Sequence, residues 1–280
     1  MPILEASHLR KVYPLARRSR IGSELVAVQD LTFDLAPGGA LGIVGESGAG
    51  KSSVAAMLMG FERPTSGAIR IKGKDRTAAA NSKERKNRAR DIQIVFQDPN
   101  SSLDPRQRVG DALDEVIRFH FPLSVEDRRS RVEQLLVDVG LSATHYGALP
   151  RALSGGQRQR VAIARALAAE PSILILDESV AALDVSIQAQ ILNLLADLRT
   201  RLGISYIFIS HDLGVIRYST DTAIVMRRGE VVEQGPTWQI LDSPSHPYTQ
   251  MLRNSVPRPG WKPRRLLRSA AGPNEGPSDD

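Results

Sequence analysis

The 280-residue chain contains no cysteine, which excludes disulfides, thiolate zinc sites and iron–sulfur centres and agrees with a reducing cytoplasm. It also lacks any apolar run that approaches the ~20 residues needed to span a bilayer. Its first residues, MPILEASHLR, lack the apolar core of a signal peptide. We therefore expect a soluble or peripheral protein.

Positive charge exceeds negative charge in this chain. The 37 Lys and Arg residues against 31 Asp and Glu residues give a net charge of +6, which permits contact with nucleic acid or an anionic membrane face. Much of this charge is local, in residues 17–20, 83–90 and 258–268. Such runs are more often solvated loops than binding surfaces. The charge balance therefore leaves a nucleic-acid partner open without favouring one.

Short apolar segments alternate with helical patterns along most of the chain. The interval between residues 72 and 92 is polar and basic and is predicted as a loop. The segment 173–176 is apolar throughout, as expected of a parallel sheet buried on both faces. The alternation predicts an α/β layered sheet with right-handed crossovers. Strands are predicted at 25–36, 40–44, 68–72, 92–96, 173–176, 205–209, 222–226 and 231–232, and helices at 51–60, 109–139, 155–169, 185–201 and from 212.

The string GESGAGKS at residues 45–52 matches G-x-x-x-x-G-K-[ST] and stands between a predicted strand and a predicted helix. In such a loop, backbone N–H groups point at phosphates and the helix N-terminus adds partial positive charge. Lys51 should bridge the β- and γ-phosphates, and the Ser52 hydroxyl should ligate Mg²⁺. The predicted ATP contacts are Gly45, Glu46, Ser47, Gly48, Ala49, Gly50, Lys51, Ser52 and Ser53.

Polar side chains follow three further strands, at the edge where ligands of open α/β sheets bind. Asp177 ends the apolar strand and is predicted to partner Mg²⁺ through water, and Glu178 is placed to deprotonate the attacking water. His211 ends a later strand near the γ-phosphate, and the Gln97 amide is predicted to reach Mg²⁺ or the water. Taken alone, an acidic pair is often a cap and a lone His is usually structural, but the upstream loop favours catalysis.

Together with these residues, LSGGQRQRVAIARAL at 153–167 and AALD at 181–184 resemble the nucleotide-binding subunit of ABC transporters, for which LSGGQ is the signature. The resemblance extends from residue 3 to about residue 257. Three further strings resemble the oligopeptide/dipeptide importer subgroup. They are FQDPNSSLDPRQRVGDAL at 96–113, LDVSIQAQILNLL at 183–195 and SPSHPYTQMLRNSVP at 243–257.

The resemblance implies a P-loop NTPase fold, with a RecA-like core, an antiparallel β-subdomain and an inserted helical subdomain. The core with its β-subdomain would comprise residues 1–97 and 153–235, and the helical signature subdomain residues 98–152. Residues 236–257 would form a C-terminal extension of the peptide-importer type. Residues 258–280, rich in Pro, Gly, Arg and Ser, are predicted to be a disordered tail.

The resemblance also implies further site residues. Tyr13 corresponds to the aromatic that stacks on adenine, although a packed aromatic at a strand edge is the alternative. Gln97 corresponds to the residue that links the metal site to the membrane subunits, and Asp184 should lie at a dimer interface near the partner's phosphate loop. A second copy of such a domain would cover the nucleotide in trans, with its signature-helix dipole aimed at the γ-phosphate. These trans contacts are Ser154, Gly155, Gly156 and Gln157.

The resemblance implies an ATP-hydrolysing subunit of an importer for peptides or similar small solutes, at the cytoplasmic face of the cell membrane. Its expected partners are two permease subunits, a second ATP-binding subunit and, indirectly, an extracytoplasmic solute-binding protein, with no nucleic acid. One alternative is a soluble ABC ATPase acting on nucleic acid or ribosomes. Another is a regulatory partner that binds ATP without hydrolysing it, which the presence of both Glu178 and His211 disfavours.

Overall fold

The computed structural model describes residues 1–14, 24–78, 81–98, 102–181 and 183–255. The basic residues at 17–20 and the predicted disordered tail, 258–280, lie outside these ranges. Within them, no helix is both long and apolar enough to cross a bilayer. The strands are β1 (Leu4–Pro14), β2 (Glu24–Leu35), β3 (Ala40–Val44), β4 (Ser66–Ile71), β5 (Lys74–Asp75), β6 (Ile92–Val95), β7 (Ile173–Asp177), β8 (Ser205–Ser210), β9 (Thr222–Arg227) and β10 (Glu230–Pro236). The α-helices are α1 (Lys51–Met59), α2 (Ser82–Asp91), α3 (Val109–His120), α4 (Val125–Asp138), α5 (Gly155–Leu167), α6 (Val185–Leu202), α7 (Leu213–Ser219), α8 (Thr237–Asp242) and α9 (Pro247–Ser255).

The strands form one mixed sheet in the order β5-β4-β1-β2-β10-β9-β3-β8-β7-β6. The five strands from β9 to β6 are parallel, whereas β1, β2, β4 and β5 pair in antiparallel fashion. Strand β10 joins the two parts, antiparallel to β9 and parallel to β2 at Glu230 and Asp30. Because parallel strands end at one edge, Val44, Asp177 and Ser210 mark the same edge of the sheet.

The alternation of side chains along β7 divides the core between the two faces of the sheet. Ile173 and Ile175 pack with residues of α1, including Met57, on one face. Leu174 and Leu176 pack on the other face with residues of α5 and α6. Each buried aliphatic side chain of this kind stabilises the fold by about 1.5–3 kcal/mol. The helices are therefore fixed against the parallel strands, which places the loops at the strand ends reproducibly.

The helical pattern predicted over 109–139 is divided into two helices, α3 and α4. Pro122 follows α3 directly after Phe121, and proline cannot continue a helix because it has no N–H to donate. Helix α4 then begins after Ser124, whose hydroxyl accepts the N–H of Asp127 at 3.1 Å. Two helices and the short 3₁₀ turns Ala143–Gly147 and Pro150–Ala152 thus lie between β6 and α5.

The prediction of a loop between residues 72 and 92 was wrong for more than half of that interval, which contains β5 and a helix. Residues Ser82–Asp91 form α2, which begins at a reciprocal cap between Asn81 and Glu84. Only Arg88 of this helix is buried. Because the helix lacks an apolar stripe, hydrophobic periodicity could not reveal it.

Candidate functional site

A phosphate loop, residues 45–50, connects buried strand β3 to α1. At Gly45 and Gly50 the loop passes so close to neighbouring strands that a side chain would collide with their backbone. Gly50 has φ 103°, and a Cβ atom there would lie 2.2 Å from the carbonyl oxygen of Ala27 on β2. A Cβ atom on Gly45 would lie 2.3 Å from the carbonyl oxygen of Met226 on β9. The loop is therefore seated directly on the backbone of two strands.

Lys51 is buried inside this loop. Its Nζ atom donates hydrogen bonds to the carbonyl oxygens of Gly45 at 2.7 Å and Glu46 at 3.0 Å. Burial lowers the pKa of the Lys51 ammonium, although the charges of Glu178 and Asp177 oppose that shift. The charges of both acids at the end of β7 therefore act on the lysine.

One side of the phosphate loop is accessible to solvent, as the exposure of its other predicted residues shows. Glu46, Ser47 and Gly48 are exposed, whereas Ala49 is buried under the loop. The Ser52 side chain is exposed and Ser53 is half-buried, both in the first turn of α1. A helix start of this kind presents its free N–H groups and partial positive charge to the open side.

Asp177 stands at the end of β7, as predicted. Burial raises the pKa of its carboxyl group, the charge of Glu178 raises it further, and Lys51 lowers it. The Asp177 carboxylate and the Ser52 hydroxyl are hard oxygen donors, which suit Mg²⁺ held jointly with substrate phosphates. The donor chemistry of these two residues therefore fits the predicted metal.

Glu178 adopts a conformation unusual for a residue with a side chain, with φ 47°. Its backbone N–H donates to the carbonyl oxygen of Ile209 on β8 at 2.8 Å, which holds it in place. Its Oε1 atom lies 3.2 Å from Nδ1 of His211. Two predicted catalytic residues, 33 positions apart in the chain, are thus joined across neighbouring parallel strands.

The signature residues form the start of α5. The Ser154 hydroxyl accepts the N–H of Gln157 at 3.3 Å, and Gln157 Oε1 accepts the N–H of Ser154 at 2.9 Å. Gln157 Nε2 also lies 3.3 Å from Nε2 of His145, a partner that the sequence did not suggest. Ser154 is exposed and Gly155 half-buried, whereas Gly156 is buried against Ile187 of α6. The open end of this helix faces outward, where its dipole can act on another molecule.

The structure does not bring every predicted site residue together within one chain. Among the described residues, no hydrogen bond or ion pair joins residues 154–157 to residues 45–52. Gln97 is exposed after β6. Asp184 is exposed at the start of α6 and makes no side-chain cap there.

Strand β2 lies between Tyr13 and the phosphate loop and contacts both. It pairs with Leu25, two residues from the Ala27 that supports Gly50. The Nζ atom of Lys11 lies 4.7 Å from the Tyr13 ring centroid, so one face of the ring already contacts a cation.

Comparison with known families classifies the chain. Residues 28–181 match the family model described as ABC transporter, and residues 232–278 match the oligopeptide/dipeptide transporter C-terminal region. The chain belongs to the ABC transporter family of ATP-binding proteins. The family and fold class predicted from the sequence are therefore confirmed.

Relatives and solved structures agree with this assignment. The chain is 44% identical to the dipeptide transport ATP-binding protein DppF of Escherichia coli over 92% of its own length and 77% of the relative's. It is 45% identical to the oligopeptide transport ATP-binding protein OppD of Mycobacterium tuberculosis over 92% of its length, but spans only 42% of that relative. A dimeric post-hydrolysis ATP-binding cassette bound to ADP and Pi is 29% identical, with a TM-score of 0.73 over 84% of this chain and 98% of that chain.

Proposed function

We propose that this chain is the ATP-hydrolysing subunit of an importer for peptides or similar small solutes. The observation that carries the proposal is that buried Lys51 of the phosphate loop and the acids Asp177 and Glu178 stand at the same edge of the parallel sheet, where β3, β7 and β8 end. Phosphoryl transfer needs a lysine in a phosphate loop, an acid that can hold a metal ion and a residue that can act as a general base. The buried Lys51, Asp177 and Glu178 are suited to these three roles. The dipeptide and oligopeptide transport relatives support the solute class.

The phosphate loop would bind the triphosphate of ATP. Its backbone N–H groups and the start of α1 favour negative charge, and Lys51 would exchange its bonds to the Gly45 and Glu46 carbonyls for phosphate oxygens. Tyr13 would stack on the adenine from the β1–β2 edge. Ser52 and Asp177, with the Gln97 amide, would hold Mg²⁺, which when bound neutralises charge on the phosphates.

Glu178 and His211 would carry out the proton chemistry. The Glu178 carboxylate would accept the proton of the attacking water. His211, held 3.2 Å from it, would orient that carboxylate and donate toward the γ-phosphate. The left-handed backbone of Glu178 turns the chain at the end of β7, which is a strained arrangement of the kind found at active sites.

The signature residues would complete the site of a second ATP-binding subunit rather than their own. Among the described residues, no hydrogen bond or ion pair joins Ser154, Gly155, Gly156 and Gln157 to the phosphate loop of this chain, and α5 begins after the exposed Ser154. Two such subunits facing each other would bury ATP between loop and signature, with Asp184 at their interface. Differential affinity of the closed and open pair for ATP would then drive the conformational cycle.

A groove between β6 and α3 would receive the membrane subunits. It has a volume of about 390 Å³ and is lined by Phe96, Glu115, Phe119 and His120, among others. Phe96 is 40% exposed and Phe119 is 57% exposed, so two apolar rings are available to a permease segment. Gln97 is the next residue in the chain after Phe96 of this groove, and it would transmit closure of the nucleotide site to the groove.

The chain would consist of a nucleotide-binding core, a helical subdomain and a C-terminal extension. Residues 1–97 and 153–235 would be the core with its β-subdomain, 98–152 the helical subdomain and 236–257 the extension. The subunit would be peripheral at the cytoplasmic membrane face, with two permease subunits and an indirect link to an extracytoplasmic binding protein. The rival function, on nucleic acid or ribosomes, is not favoured by relatives whose names describe transport.

Two variants test the shared site in the assembled transporter, with no wild-type copy of this chain present. Lys51→Ala should abolish ATP binding by the isolated chain and abolish solute uptake. Ser154→Arg should also abolish uptake, yet leave ATP affinity of the isolated chain unchanged, because Ser154 would act on the partner's nucleotide. Full uptake with either variant, or weakened ATP binding by the isolated Ser154→Arg chain, would contradict the proposal.

A further inference from the structure

The C-terminal extension contacts the phosphate loop at one polar atom. The Oη atom of Tyr248, on α9, lies 3.2 Å from the backbone nitrogen of Glu46 and accepts its N–H. Tyr248 is only 3% exposed, so the acceptor side of this hydrogen bond is buried, although Glu46 itself is exposed. Glu46 is the second residue of the phosphate loop, and no step of the proposed chemistry requires Tyr248.

Tyr248 is held in place through both its ring and its backbone. The guanidinium carbon of Arg227, at the end of β9, lies 4.8 Å from the ring centroid, which is a cation–π distance. The backbone N–H of Tyr248 donates to Nδ1 of His246 at 3.1 Å. Because Gly45 is seated on Met226, the neighbour of Arg227, strand β9 and Tyr248 together hold the start of the loop.

The segment before α9 is anchored to β10 by Glu233. Its carboxylate accepts the N–H of Ser245 at 2.8 Å and the N–H of His246 at 3.3 Å. Burial alone would raise the pKa of Glu233, but the nearby Thr249 hydroxyl, the N–H groups of Ser245 and His246 and the charge of His246 outweigh burial and hold the pKa below its ordinary value. The anchor is therefore a charged acceptor, which makes the stronger kind of hydrogen bond.

We propose that Tyr248 is a positioning residue for the phosphate loop, through which docking of the C-terminal extension presets the loop for ATP. The inference deepens the proposed function and rests on its ATP site. A loop that is ordered before binding loses less conformational entropy when the phosphates arrive. Because Tyr248 contacts the loop and not the groups proposed to act on the attacking water, its loss should affect ATP affinity and KM, with little effect on kcat.

Tyr248→Phe tests the hydroxyl alone, since the ring can remain on Arg227. The matched control is Tyr206→Phe. Tyr206 is 1% exposed, its Oη donates to the Leu195 carbonyl at 2.9 Å, and it pairs with Ala40 at the end of β3 remote from the loop. Both substitutions remove one buried tyrosine hydrogen bond, so a general loss of stability would affect both alike.

Tyr248→Phe should weaken binding of a fluorescent ATP analogue to the full chain about two- to tenfold, the worth of one hydrogen bond. It should raise KM for ATP in the assembled transporter with kcat nearly unchanged, and amide exchange in residues 45–50 should become faster. Tyr206→Phe should alter none of these. Wild-type affinity and KM in Tyr248→Phe, or an equal loss in Tyr206→Phe, would overturn the positioning role.

Lys51→Ala separates failure of this inference from failure of the proposed function. Normal binding of the ATP analogue by Lys51→Ala would refute the ATP site itself. Loss of binding in Lys51→Ala, together with wild-type binding in Tyr248→Phe, would refute only the role of Tyr248.

Discussion

The Nδ1 atom of His211 lies 3.2 Å from the Oε1 atom of Glu178. The contact exists because β7 and β8 are parallel neighbours in which Asp177 pairs with Ile209, so the residues that follow the two strands meet. Glu178 is 22% exposed at its side chain and His211 is 59% exposed. The carboxylate is thus directed by a more accessible imidazole, an arrangement that can hold a base in one orientation.

Glu178→Gln should abolish turnover while preserving nucleotide binding. Glutamine keeps the shape of glutamate but cannot accept the proton of water, so we expect kcat of the assembled transporter to fall about 10²- to 10⁴-fold. ATP affinity of the isolated chain should be retained, because Lys51 and the loop are untouched. Phosphate release and binding of a fluorescent ATP analogue measure the two effects. Unchanged turnover would remove Glu178 from the mechanism.

His211 should act together with Glu178 rather than independently. We expect His211→Ala to lower kcat by roughly 10²-fold, the usual cost of losing one charge-stabilising group. In a Glu178→Gln background the same substitution should cost far less, because the carboxylate it orients is gone. Phosphate release by the two single variants and the double variant completes the cycle. Fully multiplicative effects would show that the 3.2 Å contact has no catalytic role.

Asp177 should destabilise the nucleotide-free chain near neutral pH. Its pKa is raised above the ordinary 3.8, first by burial and then by Glu178, so the folded state resists ionising a group that the unfolded state ionises freely. The resulting loss of stability is absent below the pKa that Asp177 has in the unfolded chain. It grows as pH rises from that pKa to the higher pKa of the folded chain, and it is complete above the latter.

Asp177→Asn should therefore raise the urea midpoint at about pH 7 and have little effect below about pH 4. Asp184→Asn is the control, since Asp184 is exposed and makes no side-chain cap, and it should leave the midpoint unchanged at either pH. A gain in Asp177→Asn that is equal at both values of pH would contradict the electrostatic cause.

The phosphate loop and the acids after β7 could be predicted because their chemistry depends on local spacing. A glycine loop between a strand and a helix, and carboxylates directly after an apolar strand, occupy places that the chain sets within a few residues. The contact of Tyr248 with Glu46 joins residues 202 positions apart, and no local pattern encodes it. It depends on how α8 and α9 fold back after β10.

Two other features could not be predicted from the sequence, for different physical reasons. Helix α2 is stabilised by its cap and its solvated charges, so it has no apolar stripe to detect. The left-handed backbone of Glu178, with φ 47°, contradicts the ordinary preference of glutamate and exists because the Ile209 carbonyl holds its N–H. The sequence gives the identity of such a residue but not its strain.

The two glycines of the signature should respond differently to one added methyl group. A Cβ atom on Gly156 would lie 2.7 Å from Cγ2 of Ile187, whereas a Cβ atom on Gly155 would have Cδ2 of Leu183 as its neighbour, at 3.9 Å. Gly156→Ala must therefore displace either the Ile187 side chain or α5 itself, and it should lower the free energy of unfolding by about 1–3 kcal/mol. Gly155→Ala should change it by no more than about 0.5 kcal/mol, because ordinary contact is available there and alanine favours helix.

Urea unfolding of the nucleotide-free chain measures both values, without involving the partner subunit on which Gly155 would act. Ile187→Ala removes the Cγ2 atom that Gly156→Ala would meet, so the cost of Gly156→Ala should largely disappear in that background. Two outcomes would show that the α5–α6 contact does not determine where the signature lies. One is an equal free energy of unfolding for the two glycine variants. The other is a cost of Gly156→Ala that stays the same in the Ile187→Ala background. If the cost does disappear, the orientation of the signature helix is set by the fit of Gly156 against Ile187, independently of nucleotide.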